Sequence, residues 1–342
     1  MLGLSETAPL KHLGTVPKRL VLSIFVAVAI IFVLLRQISL KDLFTLLGSI
    51  DPFWAAVGSG AYLLAIFFRA LRFKWLIDPK GIPFANLLRV TTFYHLSLMV
   101  LPSKLGEFSF PYFLNKIGGR NVTEGLASLV VSRVYDLFIV LMVLLFVSIG
   151  FQGRFKVNAP IFIFFVAFLI GFIIFGLFYM TSFLKSLSRV LGRVSDWTEL
   201  RKSGLIPRIQ EKMDDVATEF TAIKTRRIYF SVSLTSLASW VMIFWTLYAY
   251  MRSLGVDLPL TKMLFGSTIS VLANALPISG IGNWGTLEAG WAAGFLMVGV
   301  SKEKAIATGF GVHIITFVVC ALISLFCWLT LGKQKNPSPT AS

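Results

Sequence analysis

The sequence predicts an all-α integral membrane protein: a polytopic helical bundle with two re-entrant, Pro/Gly-broken hairpins arranged as inverted repeats. Three observations lead there. Of 342 residues, 56% are hydrophobic and only 14% charged, with a mean hydropathy of +0.80, far more apolar surface than a soluble core needs. Apolar runs near the length of about 20 residues that crosses a bilayer recur along the chain. Two short segments, Leu101-Pro102-Ser103-Lys104-Leu105-Gly106-Glu107 and Leu276-Pro277-Ile278-Ser279-Gly280-Ile281-Gly282-Asn283-Trp284-Gly285-Thr286-Leu287-Glu288, each follow a run too short to cross. Each breaks helix with Pro and Gly and then places a carboxylate. Interrupted segments in matching positions of two halves are the sequence mark of a midplane binding site in transporters.

The elements follow in order. Residues 1–19 form a basic tail (Lys11, Lys18, Arg19). The run 20–35 behind it lacks a small-residue cleavage site and reads as a signal-anchor span. Further full spans are expected at 53–77, 126–150, 159–183, 228–250 and 304–331, whereas the runs 87–101, 260–276 and 287–299 are short. Lys and Arg gather in the tail, in the stretch Arg69, Arg72, Lys74, Lys80 and Arg89, in the loop 185–227 (ten basic against six acidic residues) and at Lys333 and Lys335. The positive-inside rule places all four in the cytoplasm. Six spans and two hairpins, one entered from each face, then satisfy the topology with both termini inside. Glu107 precedes Arg133 by 26 positions and Glu288 precedes His313 by 25, a spacing that supports the repeat. Within the loop 184–226, Ile209, Met213, Val216, Phe220 and Ile223 alternate at spacings of four and three. That pattern predicts an amphipathic helix, lying on the inner leaflet or packing on the spans. Residues 20–331 thus form one transmembrane domain, and the polar tail 332–342 is expected to be disordered.

The formal net charge of +16 fits basic loops and attraction to anionic headgroups. Nucleic-acid binding would need a soluble basic domain, and the pattern offers none. Cys320 and Cys327 lie in the last apolar run and read as packing residues, with no disulfide framework and no metal site. No Walker loop, His-Glu-x-x-His, Cys-x-x-Cys or Gly-x-Ser-x-Gly motif occurs. Neither ATP use, nor a cofactor, nor a catalytic residue is expected.

Five charged residues fall at membrane depth: Lys104, Glu107, Arg133, Asp136 and Glu288. At about 2.5–3.5 kcal/mol each on insertion scales, roughly 12–17 kcal/mol would be lost if they stood alone. That rivals the stability of a whole domain, so they must pair, line water or hold a ligand. Arg133 and Asp136, three apart on one helix face, can pair locally; alternatively Arg133 reaches Glu107 or an anionic group, for which its planar fork is suited. Lys104 would add a second positive charge. Gly106, Gly280, Gly282 and Gly285 allow tight turns. Glu107 and Glu288 either line a polar site or cap a half-helix. Ser279, Asn283 and Thr286 either contact ligand or satisfy broken-helix backbone. His313 reads as a structural histidine, with a proton relay as the alternative. Lys104, Gly106, Glu107, Arg133, Asp136, Ser279, Gly282, Asn283, Gly285 and Glu288 are therefore the candidate substrate-binding residues.

With these motifs in hand, the chain resembles the flippase-like transmembrane family of the lysylphosphatidylglycerol synthases. Leu-Pro-x-Lys-x-Gly-Glu at 101–107 is similar to the family's first-half motif, which often has Arg at the Lys position. Arg133 and Asp136 are similar to its Glu-Arg-x-x-Asp helix, with Ser132 where the family has Glu. Residues 282–288 are similar to its second-half Gly-Gly-x-Gly-x-x-Glu, with Asn283 in place of the second Gly. Larger members carry a cytoplasmic aminoacyl-transferase domain that makes lysyl-phosphatidylglycerol, and their membrane part is taken to move that lipid. The resemblance implies an inner-membrane, ATP-independent translocator of a phospholipid such as lysyl-phosphatidylglycerol, or of a lipid-linked glycan, without the synthase domain. Its expected partners are an anionic lipid or lipid-linked glycan, the bilayer, and a separately encoded transferase. The rivals are a lipid-modifying transferase using Glu107 or His313, and a membrane partner that docks a transferase through 184–226.

Overall fold

The computed structural model describes residues 32, 45–77, 82–150, 164, 167–171, 179, 182, 186–190, 205–225, 228–275 and 282–331. Its main helices are α1 (Pro52–Leu76), α2 (Phe84–Val100), a 3-10 turn (Ser103–Phe108), α3 (Ser109–Gly118), α4 (Val122–Gly150), α5 (Leu205–Thr225), α6 (Tyr229–Ser253), α7 (Leu260–Ala275), α8 (Thr286–Met297) and α9 (Lys302–Leu331). Among the described residues, α1, α4, α6 and α9 are long and apolar enough to cross a membrane. Their lipid-length faces keep large apolar side chains exposed, such as Phe67, Phe146, Phe230 and Phe326. Most of the expected spans 20–35 and 159–183 lies outside the described residues, as does the tail 332–342.

The helix starts and stops are legible in local chemistry. Asp51 opens α1: its Oδ1 accepts the N–H of Phe53 at 2.8 Å and of Trp54 at 3.3 Å, with Pro52 at the first helical position, where a missing N–H costs nothing. Gly119 closes α3 in the left-handed region at φ +65°, satisfying the last carbonyls. The short runs of the sequence emerge as short helices. α2 has 17 residues, α3 has 10, α7 has 16 and α8 has 12. At 1.5 Å per residue the longest of these spans about 25 Å, short of a bilayer's hydrocarbon core.

α1 and α6 make the most extensive helix pairing. They run antiparallel, since the Asp51 N–H donates to the Ser253 carbonyl at 2.8 Å. α2 therefore begins at the end where α1 finishes, and α7 begins at the opposite end, where α6 finishes. α2 packs on α3 and α7 on α8; α3 packs on α4 and α8 on α9. Across the molecule, α2 packs on α9 and α7 on α4. Among the described residues, two larger apolar cores and two smaller ones result. One of the larger cores joins Phe73, Leu87, Val90, Phe110 and Leu114; the other joins Tyr250, Phe265, Trp291, Phe295 and Phe310.

α5 lies against the first core. Ile223 is buried in it and Val216 packs at its edge, and α5 contacts α4. The apolar stripe read from the sequence thus covers protein at these positions. The side chains of Ile209 and Phe220 lie outside the described set.

The turns of the two short-helix pairs meet. The Gly282 N–H donates to the Leu101 carbonyl at 3.0 Å, and Asn283 Nδ2 donates to the Leu98 carbonyl at 3.4 Å. Gly282 (φ +57°), Asn283 (φ +62°) and Gly285 (φ +84°) are all left-handed. The departure at Asn283 keeps the turn, because Asn is among the residues with a Cβ that enter this region most readily. Gly282 is demanded by space as well: a Cβ there would overlap the Met99 carbonyl.

Candidate functional site

A cavity of about 590 Å³ opens between the two short-helix pairs. Its polar wall carries Arg69, His95, Glu107, Arg133 and Asp136 from α1, α2, the 3-10 turn and α4. The opposite wall is built by α7, the 282–285 turn, α8 and α9, including Ser270, Asn274, Asn283, Trp291 and His313. Much of the remainder is apolar, with Leu98, Val140, Ile243 and Val271 among the lining residues. Among the described residues no three His, Cys, Asp or Glu side chains converge as metal ligands would.

Two ion pairs organise the polar wall. Arg133 grips Glu107 with both ends of its fork: Nη2 to Oε1 at 2.6 Å and Nε to Oε2 at 3.1 Å. The Tyr94 hydroxyl completes the cluster, donating to Glu107 Oε2 at 2.8 Å and accepting from Arg133 Nη2 at 2.5 Å. Asp136 is held by a different arginine. Arg72, 2% exposed, donates from Nη1 to Oδ1 at 2.6 Å and from Nη2 to Oδ2 at 3.3 Å. Trp240 Nε1 adds a bond to Oδ1 at 2.8 Å. Arg133 is only a distant neighbour of Asp136, at 3.8 Å. Bidentate geometry with extra donors is what lets a buried pair recover its desolvation cost. Ser132, which stands where the related motif has Glu, accepts from Arg72 Nη2 at 2.8 Å.

A third pair lies on the other wall. Glu288 is fully buried, accepting the Gly285 N–H at 2.6 Å through Oε2 and meeting His313 Nδ1 at 2.5 Å through Oε1. Trp284 stacks on the His313 ring, with centroids 4.0 Å apart. Glu288 thus caps the start of α8 and fixes His313, and only His313 of the two lines the cavity.

The sequence-read candidates divide accordingly. Glu107, Arg133, Asp136, Gly282 and Asn283 come together around the cavity. Gly106 and Gly285 are buried turn residues; a Cβ on Gly106 would press on Leu98 and Ser97 at 2.8 Å. The Lys104 side chain and Ser279 lie outside the described set. Arg69, Arg72, Tyr94, His95 and Trp240 are additions that the sequence reading passed over. Arg69 and Arg72 counted there as cytoplasmic loop charges, yet α1 continues to Leu76 and carries both inside the bundle. The overlooked signal was their position four to seven residues before the end of an apolar run, where a cation is a site hypothesis by default.

No curated protein matches the chain. Residues 20–324 match the model of the lysylphosphatidylglycerol synthase TM region, and the chain belongs to that family.

Proposed function

We propose that this chain is an ATP-independent translocator of an anionic lipid, a phospholipid such as lysyl-phosphatidylglycerol or a lipid-linked glycan, in the cell inner membrane. The observation that carries this reading is the cavity between the two short-helix pairs. It combines a charged wall able to hold a headgroup with apolar walls near the acyl chains, the pairing that small-molecule sites use for orientation and burial. Five charged groups ring or support its polar side: Arg69, Arg72 and Arg133 against Glu107 and Asp136. The balance is one positive charge in excess, which favours an anion.

The fold supplies a route for alternating access. The short pairs start at opposite ends of α1 and α6, and their turns touch. The packing partners exchange symmetrically: α1 corresponds to α6, α2 to α7, α3 to α8 and α4 to α9. The carboxylate pairs Glu107–Arg133 and Glu288–His313 fall at matching places in this scheme. These relations support re-entrant hairpins in inverted repeats, each able to rock against the fixed pair α1/α6. In this reading the chain performs no covalent step. Glu107 and His313, the residues an enzyme would use, are engaged as structural partners.

The test is lipid movement in reconstituted liposomes, with fluorescent phosphatidylglycerol, lysyl-phosphatidylglycerol and a polyprenyl-phosphate sugar tried in turn. Movement of one lipid by the wild type, lost in Arg133→Ala and Glu288→Gln proteins that remain folded, is the expected result. Folded wild-type protein that moves none of them overturns the reading and leaves the transferase or docking roles.

A further inference from the structure

Arg133 is the arginine that the motifs single out, but Glu107 already occupies its Nε and Nη2. Arg72 is likewise committed to Asp136, Ser132 and Ser236. The charge in excess therefore resides on Arg69. Among the described residues Arg69 has no carboxylate within ion-pair distance. Its one hydrogen bond runs from Nη1 to His95 Nε2 at 2.5 Å, and its guanidinium lies 5.9 Å from the Trp240 ring.

This contact fixes the state of His95. An arginine has five N–H donors and no acceptor, so Nε2 must accept. A ring that accepts at Nε2 is neutral and carries its proton on Nδ1. His95 is only 5% exposed and that Nδ1 is buried without a hydrogen-bond partner, as is the Nε atom of the half-buried Arg69. Arg69 Nη2 also has no protein acceptor. One corner of the cavity wall thus holds a surplus positive charge and N–H groups lacking acceptors, with the Asp136 carboxylate already held by Arg72 and no carboxylate within ion-pair distance of Arg69 among the described residues. Buried donors without acceptors are costly, and an oxyanion is the ligand that supplies acceptors to the Nε–Nη2 edge of Arg69, the edge turned away from its bond to His95.

Resting on the translocator reading for its lipid source, we propose that Arg69, oriented by neutral His95, is the seat for the phosphate-type oxyanion of the headgroup. Arg133–Glu107 is then the neighbouring structural clamp rather than the phosphate ligand. Arg69 offers its free nitrogens to the oxyanion, and Trp240 packs beside it.

Thermal unfolding of the purified full chain in detergent tests this without any transport step. The probes are short-chain phosphatidylglycerol, short-chain diacylglycerol and inorganic phosphate. Wild type is expected to be stabilised by the phosphorylated lipid and not by diacylglycerol, since a ligand that binds only the folded state raises the midpoint. Arg69→Gln is expected to weaken this binding at least tenfold. Arg69→Lys keeps the charge without the fork and should fall between the two. Stabilisation by inorganic phosphate as well identifies the seat as one for the free oxyanion; stabilisation by the lipid alone shows that the tail is needed. Equal phosphatidylglycerol binding by wild type, Arg69→Lys and Arg69→Gln overturns the proposal, as does wild type unaffected by any phosphorylated probe. Should Arg69→Gln not fold, the Arg69→Lys comparison decides. A protein that binds at Arg69 but moves no lipid keeps this seat and defeats the translocator reading. One that moves lipid unchanged by Arg69→Gln does the reverse.

Discussion

The buried pair Arg72–Asp136 shows how single residues decide the stability of this wall. Arg72 is 2% exposed and makes four bonds to Asp136, Ser132 and Ser236. Removing one partner strands a charge in a low-dielectric interior, which typically costs about 3–5 kcal/mol. Asp136→Asn is therefore expected to lower unfolding stability in detergent by that order. The double variant Arg72→Met with Asp136→Leu should recover most of the loss, because both charges leave together. A single variant as stable as wild type would mean that Arg72 reaches water or another anion. Glu288 is predicted to behave differently. Glu288→Gln keeps an oxygen for the Gly285 N–H but weakens the contact to His313. A loss of about 1–3 kcal/mol follows from one compromised buried bond, readable as a lower midpoint in the same assay. At this scale the sequence was informative about which residue types matter and poor at pairing them. Arg133 had two carboxylate partners within reach by spacing, Asp136 three positions on and Glu107 twenty-six positions back. The choice of Glu107 depends on Arg72 arriving from another helix to claim Asp136.

At the scale of elements, the turn before α8 carries the tightest requirement. Gly282 donates to Leu101 and has the Met99 carbonyl where a Cβ would sit. Gly282→Ala is expected to separate the two turns, destabilise the fold by more than about 1 kcal/mol through strain at positive φ, and reduce lipid movement. Asn283 at φ +62° gives a graded control. Asn283→Gly should be nearly neutral, whereas Asn283→Ala should cost about 1–2 kcal/mol. Equal midpoints for the two Asn283 variants would argue that this turn is not left-handed in the membrane. The helix breaks themselves were legible, since Pro102, Gly106, Gly282 and Gly285 announce them. The contact between the two turns was not, because Leu101 and Gly282 are 181 positions apart and no local pattern encodes their meeting.

The arrangement of the whole molecule predicts a labelling pattern. α7 and α8 start and finish at one end of the bundle, and α2 and α3 at the other. Single cysteines at Leu260 and Ser301, both exposed, should react with an impermeant maleimide from the same face, and one at Asn121 from the opposite face. Cys320 and Cys327 are buried and would be replaced first. Labelling of Leu260 and Ser301 from opposite faces would make α7 and α8 part of a crossing rather than a hairpin, and would sink the alternating-access scheme.

Composition, periodicity and the placement of Pro and Gly determined the membrane class, the long helices and the broken segments, and three short motifs carried the family resemblance. These depend on local apolar content and on Pro and Gly, which act within a few residues of themselves. Tertiary structure decided which charges pair, which cation is left over, and what the amphipathic stripe at Val216 and Ile223 covers. Such outcomes are set by competition among partners distant in the chain. Arg69 is the plainest case. Its place near the end of an apolar run hints at a site, but only the folding of α1 against α2, α4 and α6 leaves it in a cavity wall with no carboxylate in ion-pair contact, Asp136 being held by Arg72.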